Sequence, residues 1–523
     1  MGDRMMNRII TRTSDGAWLL GDRVLHPAED QLAAARSDLG GLLEETRSHD
    51  LVVMAGSGLG WHILAVLDRP DPPSIIVYEP RAELREAMGE HGPTLQNLPV
   101  NEEDCVSDEK GLAQALGRHL VYSQKKRVAF FCPPAYQNAF PDSVDAARVL
   151  VDQSLARSRS NASTRSLKTG LWLDNMAENI IFWPEFPDAT LFQDTLAGIP
   201  ALVVGAGPSL DQSLAEVVEM QGRMLIFSAA SALMPLSKVG VTPHVTMALE
   251  AKDESRQFSG VDHSRTLLAA ASTGHPNHFL RWSGPKSIFH LQPWVANLAG
   301  LGQALPSGGH VTSAAFSLAL LWGCDPIILV GQDLAYTHGR IHAAGRPGGE
   351  DEARDETVEV PAIGGGMVQT SPIMLSYLLW YEESASYLGK SGRNIYNATA
   401  AGALIPGFNH RTLTDLRENI PPLDEDLEAV LKAMDRLPRT SASFLLESVV
   451  KTRIDTQAVL EELNKNGLES ARALVGGASP ASAALEDIPA GGDSIFAQRQ
   501  LERMVDTLTK AGKNLHSLAA FPG

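Results

Sequence analysis

Short apolar runs punctuated by glycine and polar residues dominate the chain up to about residue 410, and helical spacing replaces them afterwards. Leu51-Val52-Val53-Met54, Ile75-Ile76-Val77-Tyr78, Ala201-Leu202-Val203-Val204 and Ile327-Ile328-Leu329-Val330 are unbroken apolar stretches rich in β-branched residues. That pattern predicts strands buried on both faces, as in a parallel sheet. The alanine-rich stretch Thr312 to Trp322 predicts a helix ended by Gly323. Further on, Leu427, Val430, Leu431, Met434 and Leu437, then Leu445, Val449 and Val450, then Val459, Leu460 and Leu463 follow helical spacing. Breaks at 476–480 and 489–492 separate these from a last helix over Phe496 to Leu518. The class is α/β, followed by a helical tail whose apolar stripe reads as packing or partner contact.

The polar, basic and non-periodic stretch 157–166 predicts an exposed connection or a mobile helix end. It divides a Rossmann-like N-terminal domain, 1–165, from a central α/β domain, 166–410, and the helical domain is 411–523. Residues 346–370 hold many glycines and acids, including Gly364-Gly365-Gly366. A loop of that length in a compact domain predicts a lid or a disordered segment.

Glycine turns follow three of the strands. Gly56-Ser57-Gly58-Leu59-Gly60 leaves the first, and Glu79 ends the next, about 20 residues on. This is the layout of a mononucleotide-binding βαβ half, with Glu79 placed for a ribose, or else of a scaffold that holds nothing. Val204 runs into Gly205-Ala206-Gly207-Pro208-Ser209, where Ser209 stands at an N-cap position with Gln212 as its capping-box partner. Leu210, Leu214, Val217 and Val218 then share a helical face. Free N–H groups at such a helix start suit a phosphate, although a tight βα turn that binds nothing has the same sequence. The third turn, Gly331, opens a dense polar run: Gln332, Asp333, Tyr336, Thr337, His338, Arg340 and His342. Clustering at the carboxyl edge of a strand favours a site over isolated turn caps and solvated histidines.

A chain of 523 residues is too long for one core. No run of apolar residues is long enough to span a bilayer as a helix, and Met1 to Arg12 lacks the apolar core of a signal peptide. Three cysteines, without metal-ligand spacing, favour a reducing compartment, so the cytoplasm is expected. A net charge of −18 argues against an extended nucleic-acid surface and against adhesion to anionic membranes.

Gly-Ala-Gly-Pro-Ser-Leu at 205–210, Val241-Thr242-Pro243-His244-Val245, the run from Gly323 to Tyr336 and Tyr396-Asn397-Ala398-Thr399, in that order, resemble the motility-associated factor (Maf) proteins. The resemblance covers roughly 40–410 and is strongest from 200 to 410. It implies a central domain similar to bacterial sialyltransferases and transfer of a nonulosonic acid, of pseudaminic or legionaminic type, from a CMP-activated donor to flagellin serines or threonines. It implies flagellin as partner, with no required cofactor and no metal expected. Gly205, Gly207 and Ser209 would then hold the donor phosphate through N–H groups and hydroxyl, next to Pro208. Thr312 and Ser313 would take the donor carboxylate or cytidine, and Glu250, Gly331, Gln332, Tyr336 and Asn397 would line the donor site. His342, Asp333 and His338 are the candidate bases, His342 favoured because imidazole titrates near neutrality. Glu250 stands where family members often have aspartate. The central domain also resembles an archaeal hydroxymethyldihydropterin pyrophosphokinase, which would use ATP and magnesium held by carboxylates such as Glu250 and Asp333. A third reading is a non-catalytic flagellin-binding assembly factor.

Overall fold

The computed structural model describes residues 9–48, 50–93, 101–120, 127–344, 357–389, 391–423, 427–475, 479–486 and 494–520. These form two compact units, one of residues 1–163 with 486–493, the other of 164–485 with 494–523.

In the first unit, Leu51–Ala55 lies between Ser74–Tyr78 and Val128–Phe131 in a parallel sheet whose far edge is Cys105–Val106. Every residue of Leu51–Ala55 is buried, as its unbroken apolar run requires. A small antiparallel sheet of Ile10–Arg12, Trp18–Leu20 and Arg23–His26 precedes it.

The second unit is built on an eight-stranded parallel sheet. Its strands are β1 (Ala201–Val204), β2 (Leu225–Ala229), β3 (Val245–Ala248), β4 (Leu267–Ala271), β5 (Lys286–Phe289), β6 (Ile327–Val330), β7 (Ile395–Asn397) and β8 (Asn409–His410). Their order is β5-β4-β3-β2-β1-β6-β7-β8. The chain fills the sheet outward from β1 in one direction, then returns to β1's other side with β6. The reversal of order lies between β1 and β6, and the crevice at the carboxyl ends of such a strand pair is where open α/β sheets bind ligands.

Side chains alternate across the sheet. Val203, Leu329 and Ile395 face one layer, and Leu202, Val204, Ile328 and Val330 face the other. The helix α1 (Leu210–Glu219) belongs to the second layer through Leu210 and Val217. Helix α2 (Val311–Leu321) belongs to the first and is buried from Thr312 through Ala319, the mark of a helix covered all round. It lies against β1, β2 and β3 on one side. On the other, Phe316 meets Trp380 and Tyr381 of helix α3 (Pro372–Leu388) edge to face.

Two expectations change. Residues 157–166 are helical, within a helix Pro141–Asn179, because serine, arginine, asparagine and alanine all tolerate a helix and no proline intervenes before Asn179. Of the stretch read as a lid, 346–356 lies outside the described residues; the rest holds a hairpin of Val358–Pro361 and Met367–Thr370 turning at Gly364-Gly365-Gly366. The hairpin is tied down: Tyr336 N–H donates to Gln369 O, and the Thr370 hydroxyl to Leu334 O. In the tail, Ala442–Asn466 is one helix that packs against Ser494–Ala520. The breaks at 476–478 and 489–492 fall outside the described residues. Among the described residues, no helix is long and apolar enough to cross a membrane.

Candidate functional site

The glycine turns after β1 and β6 fit into each other at the reversal point. Gly205 N–H donates to Val330 O and Gly207 N–H to Gly331 O, each at 2.8 Å. A Cβ on Gly205 would lie 2.6 Å from Gly331 O, and one on Gly207 would lie 2.2 Å from an Asp333 carboxylate oxygen. Gly331 has φ +65° and would itself meet Gly205 O at 2.5 Å. The glycines are therefore required by backbone-to-backbone approach.

Asp333 holds the start of α1. Its carboxylate accepts the Ser209 N–H at 3.0 Å and the Ser209 hydroxyl at 2.6 Å. Both residues are buried, and burial pushes the Asp333 carboxyl above the usual aspartate range while the Ser209 hydrogen bonds pull it back. The expected capping box does not form, because the Ser209 hydroxyl faces Asp333. The N–H groups of Gly205, Gly207 and Ser209, read from the sequence as a phosphate cradle, donate within the chain. Pro208 is buried in the same turn.

The loop after β6 lies over this turn: Ala343 N–H donates to Ala206 O, and Arg340 pairs with Asp211 of α1 at 3.1 Å. His342 is fixed by that backbone contact beside the turn. His338 is exposed, has φ +51° and meets Gln212 of α1 at 3.3 Å. Tyr336 is half-buried.

A chain of hydrogen bonds then leads from β6 to β7. Gln332 N–H donates to the Thr399 hydroxyl, and Thr399 N–H donates to Asn397 Oδ1. That second bond fixes the Asn397 amide, whose Nδ2 is buried without a partner; Gln332 Oε1 is likewise buried and unpaired. Gln332 Oε1 would lie 3.1 Å from a Gly205 Cβ.

Helix α2 runs back against the strands that flank it, so its amino end shares the carboxyl edge of the sheet. Thr312 and Ser313 are buried there. The Ser313 hydroxyl turns back to His310 O at 2.7 Å and accepts Gly308 N–H at 2.9 Å. His310, unnoticed in the sequence, stacks on Tyr377 at 4.2 Å and meets Tyr381 edge-on at 5.4 Å. Burial holds its pKa down to about 3, and it raises the Tyr377 hydroxyl to about 12, with the Glu250 charge adding to the rise. Glu250, half-exposed just past β3, lies 3.6 Å from Lys168. The only sequence signal for this corner is a glycine pair and a histidine ahead of a helix, with tyrosines four apart on α3.

Further along the edge, Asn175 donates to Ala251 O and Thr273 O, and Asn179 to Ser272 O and Gly274 O. These two side chains cover the loop carbonyls after β3 and β4. A separate groove of about 590 Å³ beside β8, lined by Tyr396, His410, Arg411 and Asp415, holds the motif residue Tyr396 but none of the expected catalytic or donor-binding residues. No group of three or more possible metal ligands occurs among the described residues.

In the first unit the glycine turn is filled by the chain itself. The Tyr136 ring lies 2.5 Å from where a Gly56 Cβ would be. Glu79, placed for a ribose by the sequence, accepts Ser57 N–H and hydroxyl, Arg81 N–H and the Tyr136 hydroxyl.

The second unit is thus a doubly wound α/β protein with its crevice at the point where strand order reverses. Residues 174–339, which carry both glycine turns, match the family model described as 6-hydroxymethylpterin diphosphokinase MptE-like. The chain shares its fold with the solved Maf glycosyltransferase from Magnetospirillum magneticum AMB-1, at 15% identity and a TM-score of 0.50, over 94% of this chain and 82% of that one. The resemblance expected from the motifs is therefore present in the fold. No curated protein sequence matches the chain.

Proposed function

We propose that the protein is a glycosyltransferase that moves a nonulosonic acid, or a related acidic sugar, from a CMP-activated donor to serine or threonine hydroxyls of flagellin in the cytoplasm. The observation that carries this reading is the crevice between β1 and β6, where buried, unpaired amide atoms of Gln332 and Asn397 share one edge with the amino end of α2. Unpaired buried polar atoms cost about 1–3 kcal/mol each, which a bound polar ligand offsets. The fold likeness to a Maf glycosyltransferase supports the same reading.

In this mechanism the bond from the anomeric carbon to the phosphate oxygen breaks, and the acceptor oxygen bonds to that carbon. The hydroxyl proton passes to a base and CMP leaves. The transition state resembles an oxocarbenium ion, so the protein must steady the departing phosphate and receive one proton. Because the glycine-turn N–H groups donate internally, the donor's anions fall to the start of α2 at Thr312 and Ser313. Gln332, Asn397, Tyr336 and Gly331 line the nucleoside side, and Glu250 the outer rim. Asp333, tied to Ser209, acts as a brace. His342, beside the glycine turn, is the base in this account, and His338 is the alternative outside the turn.

The family match over 174–339 favours one other reading, diphosphate transfer from ATP with magnesium. Thermal unfolding separates them, since a ligand stabilises the state it binds. CMP at a hundred times its Kd should add about 2.7 kcal/mol, and ATP with magnesium should add nothing. Stabilisation by ATP with magnesium and not by CMP would reverse the assignment.

A further inference from the structure

We propose that the groove beside β8 binds a sugar that carries a carboxylate. The inference stands apart from the donor reading, because the groove holds none of the residues assigned to the donor. It lies on the side of the sheet that α1 covers, beside β7, β8 and the short helix Leu413–Arg417.

The walls of the groove are fixed by the fold. Thr412 caps the short helix through the Asp415 N–H, and Leu413 and Leu416 are buried in the layer that holds Leu210 and Val217 of α1. The Thr414 hydroxyl donates to Glu216 of α1 at 2.7 Å, and Arg417 pairs with Glu219. Tyr396, half-buried, packs against the same layer and also lines the groove.

The polar side chains that line it are used differently. Asn409, His410, Arg411, Asp415 and Asn419 are exposed, and none makes a side-chain hydrogen bond or ion pair with another described residue. Arg411 and Asp415 do not pair with each other, although they carry opposite charges four positions apart. An exposed edge strand is commonly guarded by lysines or a bulge. Here the edge instead borders a hollow of about 590 Å³, the size of a small-ligand site. Its chemistry is mixed: a guanidinium only donates, a carboxylate only accepts, and the two amides do both. A phosphate or a simple carboxylic acid would use Arg411 and be repelled by Asp415. Sugar hydroxyls donate and accept at once, so they satisfy Asp415 and the amides together. The carboxylate of the sugar pairs with Arg411, and its C–H face lies against Tyr396 and Leu416.

The test uses the full-length chain beside Arg411→Gln and Asp415→Asn, measuring Tm and calorimetric affinities for N-acetylneuraminic acid, its methyl ester, acetate and CMP. The wild type should bind the acid at millimolar concentration, the ester about tenfold more weakly and acetate not at all. Arg411→Gln should bind the acid about tenfold more weakly and no longer distinguish it from the ester. Asp415→Asn should weaken acid and ester alike. Tm and CMP affinity should stay unchanged in both variants, because these side chains hold nothing else in the chain. A wild type that binds no acid, acetate binding as tight as that of the acid, or acid binding unaltered in Arg411→Gln would overturn the proposal. A fall in Tm in Arg411→Gln would also contradict it, since Arg411 would then serve the fold. A chain that binds the acid through Arg411 but binds no CMP contradicts the donor reading alone.

Discussion

The residues at the reversal point divide into those that build the crevice and those free to use it. Gly207 builds it: a methyl there would lie 2.2 Å from Asp333 and 2.7 Å from Gly331 O, both fixed. Gly207→Ala should cost about 1–3 kcal/mol in urea denaturation, in the range of overpacked cores. An unchanged midpoint would mean that the turns are looser than described. Ser209→Ala should cost about 1–3 kcal/mol, because it takes the hydroxyl donor away from a buried carboxylate. The glycines, Ser209 and Asp333 were all legible in the sequence as a place, but not as a mechanism. Motif spacing located the turn correctly, yet it could not reveal that Asp333 reaches across 124 positions to take the Ser209 donors. His310 was missed for the opposite reason: its neighbours, Tyr377 and Tyr381, are brought to it only by the packing of α3 on α2.

Among the elements, strands were the easiest to read, because a strand buried on both faces leaves an unbroken apolar run. Ala201–Val204 and Ile327–Val330 begin and end where that run does. The strands Ile10–Arg12, Trp18–Leu20 and Arg23–His26 were not foreseen, since each is three or four residues long and partly exposed. The helix through 157–166 was obscured by its polarity, which removes the periodic signal without removing helix propensity. Helix α2 is the element on which the crevice depends, and Phe316 anchors it beneath α3. Phe316→Ala should cost about 3–5 kcal/mol and weaken CMP binding with it. A variant that lost stability while binding CMP as tightly as the wild type would detach the α2 start from the site.

At the scale of the whole molecule, the fold likeness over 94% of the chain is the feature the motifs could only suggest. Buried histidines add a property that no motif showed. Burial holds His278 down to about 4, and His290 and His310 down to about 3, so each is neutral when folded and protonates more readily when unfolded. Their contribution is present above the ordinary value of 6.5 and is lost as pH falls, at about 1.4 kcal/mol per pH unit for each. Asp188, raised by burial to about 6, works the other way between about 6 and its ordinary 3.8. The net expectation is a stability several kcal/mol lower at pH 5 than at pH 7, read from urea denaturation at the two values. A flat profile would place these rings in water.

The central claim, transfer of an acidic sugar to flagellin, is tested most directly by the intact mass of flagellin co-expressed with this protein and a pathway that supplies the CMP-nonulosonate. The account predicts mass increments of one or more nonulosonic acid residues that vanish when the protein is left out. Unmodified flagellin beside a working donor pathway would contradict it.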